Sequence, residues 1–238
     1  MAAASLLARL AERPREAAIL LDVDGTLAPI VARPEDARVP EATRAELGRL
    51  VSRYALVACL SGRTAQEAAR VVGVEGIRYV GEHGLELEPE AEAWAERLTA
   101  FAASVAWPAE HGKRLTVSFH YRTAPDPDAA RALLERAAER ALAEGFRPRF
   151  GRLVLEVRPP LDADKGTAVR RLLVEAALRR ALYAGDDTTD LDAFSSLGDL
   201  ELAVRVAVSS TEGPPALVRE ADIVVGSPAE LLDYLRML

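Results

Sequence analysis

Short, continuous apolar runs alternate with amphipathic stretches along most of the chain. AAILLDV (residues 17–23) ends at Asp-Gly and predicts a buried strand. Residues 41–53, after Pro40, read as a helix. ALVACL (55–60) is a second apolar strand closed by Ser-Gly, followed by a helix at 64–72. IRYV (77–80) is a third, closed by Gly81. The pattern resumes with a long helix over 165–180, the strand ALYAG (181–185) and a helix at about 189–196. LAVRVAV (202–208), DIVV (222–225) and a last helix at 228–237 complete it. Apolar strands alternating with helices imply a parallel sheet covered on both faces.

The stretch from 89 to 159 follows another pattern. A helix is expected at about 90–104 and another at 126–143. RLTVSFHYR (114–122) alternates like a half-exposed strand, and FRPRF and LVLEVRP form two strands around Gly151. Pro89, Pro159 and Pro160 suit domain borders. The expected architecture is an α/β fold. Its doubly wound, parallel-sheet (Rossmann-like) core is built from 1–88 and 160–238, with an inserted α+β cap domain at 89–159.

Composition narrows the function. A chain of 238 residues is long enough for a sizeable core. Its formal net charge of −7 disfavours nucleic acid as a partner, since it repels the phosphate backbone. Cys59 is the only cysteine, which excludes an intrachain disulfide and a cysteine-based zinc site. No apolar run approaches the roughly 18 residues a membrane span needs. The start, MAAASLLARLAERPREAA, reads as an amphipathic helix rather than a signal peptide. A cytoplasmic monomer acting on a small molecule is expected. There is no Asn and one Gln, Gln66, which is a thermophile-like, thermostable pattern or the mark of a GC-rich genome. Lys113 and Lys165 are the only lysines among 30 basic residues.

In open parallel sheets, ligands bind beyond the carboxyl ends of the strands. Those ends carry Asp22-Val23-Asp24-Gly25-Thr26, Ser61-Gly62-Arg63, Gly81-Glu82-His83-Gly84 and Gly185-Asp186-Asp187-Thr188-Thr189-Asp190. Asp164-Lys165-Gly166 opens the long helix. Five carboxylates in one place repel each other unless a cation sits among them, and all-oxygen donors favour a hard cation, Mg2+ first. Asp22 and Asp24 point to the same side of a strand. Ser61, Lys165 and backbone N–H groups offer donors to a phosphoryl group. A carboxylate nucleophile, a metal and a lysine describe phosphoryl transfer.

Asp-x-Asp-Gly-Thr, Ser-Gly-Arg, a Lys opening a helix and Gly-Asp-Asp-x-x-Asp, in this order, resemble the four motifs of the haloacid dehalogenase-like phosphatases. The insertion between the second and third motifs resembles their C2 cap type. DVDGTLAPI, LSGR, YVGEHGLEL, SFHYR, LEVRP and GDDTTDLDAF together resemble the trehalose-6-phosphate phosphatases over most of the chain. Leu191 and Asp164 depart from that pattern, where an acidic residue and Asn are common.

The resemblance implies Mg2+-dependent hydrolysis of trehalose 6-phosphate. Asp22 would be the nucleophile, and Asp24 the acid and then the base. Ser61 and Lys165 would hold the phosphoryl oxygens. The metal would sit on Asp22, the Asp24 carbonyl and Asp186, with Asp187 or Asp190 reaching it directly or through water. Gly25, Thr26, Gly62, Arg63 and Asp187 would line the site. For the sugar, the candidates are Glu82 and His83 in the core and Lys113, His120, Arg122, Glu156 and Arg158 in the cap. Each has a plainer reading. Asp190 and Ser61 suit helix caps, and the cap residues suit a salt-bridge ladder across a sheet. His111 reads as loop surface, and Trp94 and Trp107 as packing. Other sugar phosphates, and a non-catalytic sensor, remain alternatives.

Overall fold

The computed structural model describes residues 3–31, 33–109, 113–151, 153–211 and 213–238; His111 lies outside them. In chain order the elements are α1 (Ala3–Ala11), β1 (Ala17–Asp22), α2 (Glu41–Arg53), β2 (Leu56–Leu60), α3 (Ala65–Val72) and β3 (Arg78–Val80). Then come α4 (Glu92–Ser104), β4 (Val117–His120), α5 (Pro127–Ala143), β5 (Arg147–Gly151) and β6 (Val154–Arg158). The chain closes with α6 (Lys165–Glu175), β7 (Arg180–Gly185), α7 (Asp190–Ser196), β8 (Leu202–Val208), α8 (Pro215–Glu220), β9 (Ile223–Val225) and α9 (Pro228–Leu235).

By contacts the chain divides into two compact units, one of Met1–Gly84 with Ala163–Leu238 and one of Leu85–Asp162. Residues 160–162 go with the smaller unit because Arg147 of β5 reaches Asp162 and the Leu161 carbonyl. The larger unit is a six-stranded sheet in the order β3-β2-β1-β7-β8-β9, every pairing parallel. The sequence direction of the sheet reverses between β1 and β7, so their carboxyl ends flank the topological switch point. Side-chain alternation sends Ile19, Leu21, Val57, Cys59, Leu182 and Val204 into one core with α1, α2, α3 and α9. Leu6, Leu7 and Leu10 are the buried stripe of α1. On the opposite face α7 packs against β7 and α6.

The smaller unit is an antiparallel sheet, β4-β6-β5. Val117, Phe119, Leu155 and Val157 face α4 and α5 across a core that includes Leu98, Phe101 and Leu134. Trp94 meets Phe146 edge-on at 5.5 Å, and Arg97 stacks over the Trp94 ring. This is the packing role expected for Trp94. The Trp107 indole N–H donates to the His120 carbonyl at 2.8 Å.

Three expectations are corrected. The helix expected over 165–180 ends at Glu175. Ala177 adopts a left-handed φ of 52°, and Leu178 N–H closes on the Leu173 carbonyl, a Schellman-type stop without the glycine that normally announces it. The strand expected over 114–122 is only four residues long and is not half exposed: Thr116 and Ser118 are buried, and Lys113 Nζ donates to Ser118 Oγ. Arg122 therefore sits in the turn after β4 rather than beside His120 on a strand face. Helix α8 was not anticipated between 208 and 222.

Because Leu21 lies fully buried in a central strand, Leu21→Ala should destabilise the protein by about 2–5 kcal/mol. Urea denaturation followed by circular dichroism would show it; a loss below about 1 kcal/mol would mean the core relaxes around the gap.

Candidate active site

The chain after β1 must turn sharply for its loop to come back over the sheet end. Gly25 makes the turn at φ +86°, and its N–H donates to the Ala28 carbonyl at 2.8 Å. A Cβ there would also lie 2.1 Å from an Asp186 carboxylate oxygen, so the loop holds Asp186 against bare backbone. Thr26 Oγ1 donates to Asp186 Oδ1 at 2.9 Å. Two motifs 160 residues apart thus meet at the switch point.

Lys165 starts α6 and is almost completely buried. Its ammonium donates to Asp22 Oδ1 at 2.6 Å and to Asp190 Oδ1 at 2.7 Å. Asp164 caps that helix by accepting from Thr167 N–H at 2.7 Å, in a reciprocal capping box. Asn accepts the same bond, which explains why the departure at Asp164 leaves the geometry intact. Asp190 is wholly buried and accepts four hydrogen bonds. Lys165 and the Tyr183 hydroxyl (2.7 Å) take Oδ1; the Asp186 and Asp187 N–H groups (both 2.9 Å) take Oδ2. It lies one residue inside α7, after the N-cap Thr189, and folds back onto its own loop, so it is not a helix cap. A Cβ at Gly185 would fall 2.2 Å from the Asp190 carboxyl carbon.

Electrostatics follow from this burial. Burial raises the Asp22 carboxyl well above its ordinary range; Asp190 and Asp186 add to the rise and Lys165 opposes it. Asp186 is pushed up to about 6 by burial and by Asp190, against its hydrogen bond from Thr26. Burial works against the Lys165 charge, but Asp190 and Asp22 outweigh it and hold the ammonium well above its usual range. Burial, then Asp190, raises the Tyr183 phenol well above its usual value, so it serves as a donor. Asp22, Asp186 and Asp190 each offer an oxygen within 4.8 Å of the others. One lysine does not balance that cluster, and its hard oxygen donors fit a divalent cation.

Ser61 is buried. Its hydroxyl accepts from Arg63 N–H at 3.1 Å, while Thr64 caps α3 with Glu67 in a capping box; Ser61 is therefore not the cap. Arg63 grips Asp24 with two bonds of 2.7 Å, from Nε and Nη2. Glu82 and His83 have left-handed φ values of 47° and 56°. Their N–H groups donate to the Arg63 and Ser61 carbonyls at 2.8 and 2.9 Å, and the His83 ring lies over Gly62. Glu82 is buried. This turn braces the Ser-Gly-Arg loop from behind. Asp187 is exposed at the loop surface.

Of the residues expected to recognise sugar, Glu156 and Arg158 do share the polar face of β6. Ser118 and Arg149 flank Glu156 on the neighbouring strands, and Arg147 pairs with Arg158. Lys113 joins this face through Ser118. His120 is exposed at the end of β4, and Arg122 has left the strand. Ser118, Arg147 and Arg149 were not among the expected residues, although the alternation in FRPRF puts the two arginines on one face.

The family model described as trehalose-phosphatase matches residues 20–111 and 109–220. The chain belongs to the trehalose-phosphatase family. It is 35% identical to the trehalose-phosphate phosphatase of Mycobacterium avium (strain 104), covering 94% of this chain and 62% of that protein. It is 29% identical to a probable trehalose-phosphate phosphatase 3 of Oryza sativa subsp. japonica, over 96% of this chain and 70% of that one. The chain thus spans about three fifths of the length of the mycobacterial relatives it matches. Among solved structures, the C-terminal domain of a C. albicans trehalose-6-phosphate phosphatase superposes with a TM-score of 0.73 at 23% identity, covering 98% of this chain and 95% of that one. An Aspergillus fumigatus trehalose-6-phosphate phosphatase gives 0.69 at 24%, covering 100% and 97%. A haloacid dehalogenase-like hydrolase from Bacteroides thetaiotaomicron gives 0.66 at 15%, covering 92% and 98%. These likenesses show a shared fold. No described helix is long and apolar enough to cross a membrane.

A carboxyl raised to about 6 binds its proton more tightly in the folded state than in the unfolded one. Its ionisation therefore costs stability as pH rises from the ordinary carboxylate range to about 6, and a bound cation would offset that cost. The rise in melting temperature on adding MgCl2 should be clear at about pH 7.5 and small at about pH 5, where protons compete for Asp186. Equal shifts at both pH values would refute metal binding at this cluster.

Proposed function

We propose that the chain hydrolyses trehalose 6-phosphate to trehalose and phosphate, with Mg2+ as cofactor. The observation that carries this reading is the buried Lys165 bridge between Asp22 and Asp190, set beside Asp186 at the switch point. A ligand-binding module has no need to crowd three carboxylates, two of them buried against one ammonium; a phosphoryl-transfer site does. Asp22, Asp186 and the carbonyl of Asp24 would hold the metal, which supplies Lewis-acid stabilisation of the phosphoryl oxygens.

Lys165 orients the Asp22 carboxylate. An Asp22 oxygen attacks phosphorus, the bond from phosphorus to the sugar oxygen breaks, and Asp24 gives its proton to that oxygen. Both Asp24 oxygens are held by Arg63, so an exchange of partners precedes the transfer. Water then attacks the aspartyl-phosphate, Asp24 takes its proton, and phosphate leaves with Asp22 regenerated. Ser61 and the N–H groups of the surrounding turns serve the phosphoryl oxygens. The polar face bearing Lys113, Glu156, Arg149 and Arg158 offers the donors and acceptors a disaccharide requires. Family membership, and likeness to trehalose-phosphate phosphatases over 94% and 96% of this chain, support this substrate.

The test is phosphate release from trehalose 6-phosphate, sucrose 6-phosphate, glucose 6-phosphate and mannosyl-3-phosphoglycerate, with and without Mg2+. Mg2+-dependent preference for trehalose 6-phosphate is expected; preference for another ester would keep the chemistry and change the substrate. Asp22→Asn should lower turnover by at least about a thousandfold while circular dichroism shows a retained fold. Near-normal turnover by that variant would remove Asp22 as the nucleophile.

A further inference from the structure

Tyr183 belongs to none of the motifs, yet it touches the group that holds Lys165. It lies on β7 with its ring fully buried and edge-on to Phe194 of α7, at a centroid distance of 6.1 Å and an interplanar angle of 84°. Full burial limits the ring's movement, and the hydroxyl is directed at Asp190 Oδ1. Lys165 donates to the same oxygen and to Asp22. One carboxylate oxygen thus takes a neutral donor at 2.7 Å and a cationic donor at 2.7 Å, and the cation's other strong partner is Asp22 at 2.6 Å.

We propose that Tyr183 is a positioning residue: its hydroxyl occupies a share of Asp190 Oδ1 and so keeps Lys165 divided between Asp190 and Asp22 rather than drawn wholly to Asp190. Asp190 cannot swing away to adjust, because Asp186 and Asp187 N–H groups hold its other oxygen. Without the hydroxyl, Lys165 is the only strong donor left on Asp190 Oδ1 and its ammonium shifts along the short path from Asp22 towards Asp190. The carboxylate oxygen that Lys165 orients on Asp22 then loses its fixed direction, and misorientation of a reacting group falls on turnover rather than on substrate binding. This inference rests on the phosphomonoester hydrolase reading of the same site.

Tyr183→Phe removes only the hydroxyl and keeps the ring against Phe194. Relative to wild type, kcat should fall about 5–20-fold on whichever phosphate ester wild type hydrolyses, with KM within about twofold. The scarcity of lysine supplies a direct spectroscopic reading. With 15N-labelled lysine the protein has two side-chain amines, Lys113 and Lys165, told apart by Lys113→Arg. The Lys165 Nζ signal should move, and its protons exchange faster, in Tyr183→Phe, while the Lys113 signal stays in place. Phe194→Leu disturbs the same packing without touching the hydroxyl, and should lower the melting temperature while leaving kcat and the Lys165 signal near wild type. An unmoved Lys165 signal in Tyr183→Phe, or an equal loss of kcat in Phe194→Leu, would overturn the proposal. If wild type hydrolyses no phosphate ester, the functional reading fails, and the Lys165 signal alone still decides whether Tyr183 holds the lysine in place.

Discussion

The structure depends on how three carboxylates, two of them buried and one half-buried, can lie within 4.8 Å of one another. Burying one charge without a partner is costly, and crowding three of the same sign together is more so. Lys165 relieves part of the cost by donating to two of them, and the backbone relieves more by aiming the Asp186 and Asp187 N–H groups at Asp190. Asp186 is left with Thr26 and a raised affinity for protons. The remaining negative charge is what a divalent cation would use, and the cation in turn would meet the phosphoryl oxygens.

That arrangement constrains the residues around the charges. Gly25 and Gly185 are needed because carboxylates lie where a Cβ would go. The β1–β7 pairing brings Asp22 and Asp186 to the same end of the sheet. The first turn of α6 carries Lys165 into the sheet's carboxyl end, and the Asp164 cap fixes where that turn begins. On the other side, the left-handed Glu82-His83 turn supports the loop that presents Ser61 and Arg63. Two consecutive left-handed residues other than glycine are unfavourable, and their N–H bonds to the Ser-Gly-Arg loop hold them there.

Much of this was legible in the sequence. The central strands β1, β2 and β7 of the larger sheet are apolar on both faces, so each stands out as a short run with Gly or Asp close to its end. Asp22, Asp24 and Asp186 stood out because they sit at those ends, and Lys165 because it opens the helix that follows. The errors have physical causes. The stop after Glu175 uses alanine in a conformation usually given to glycine, so no punctuation marks it. The strand around Ser118 is short and covered by Lys113, a contact absent from any alternation pattern.

The sequence by itself determined the order of apolar strands and amphipathic helices, the acidic strand ends and the lysine that opens the helix before β7. Periodicity and residue chemistry are local properties, and they are written in neighbouring letters. The tertiary structure alone decided which partners those groups take. That Asp190 shares one oxygen between Lys165 and Tyr183, that Arg63 holds Asp24, and that Arg149 stands beside Glu156 are consequences of strand register and helix packing across long separations. Hydrogen bonds act over about 3 Å, so which of several chemically suitable groups is chosen depends on distances that only the folded chain possesses.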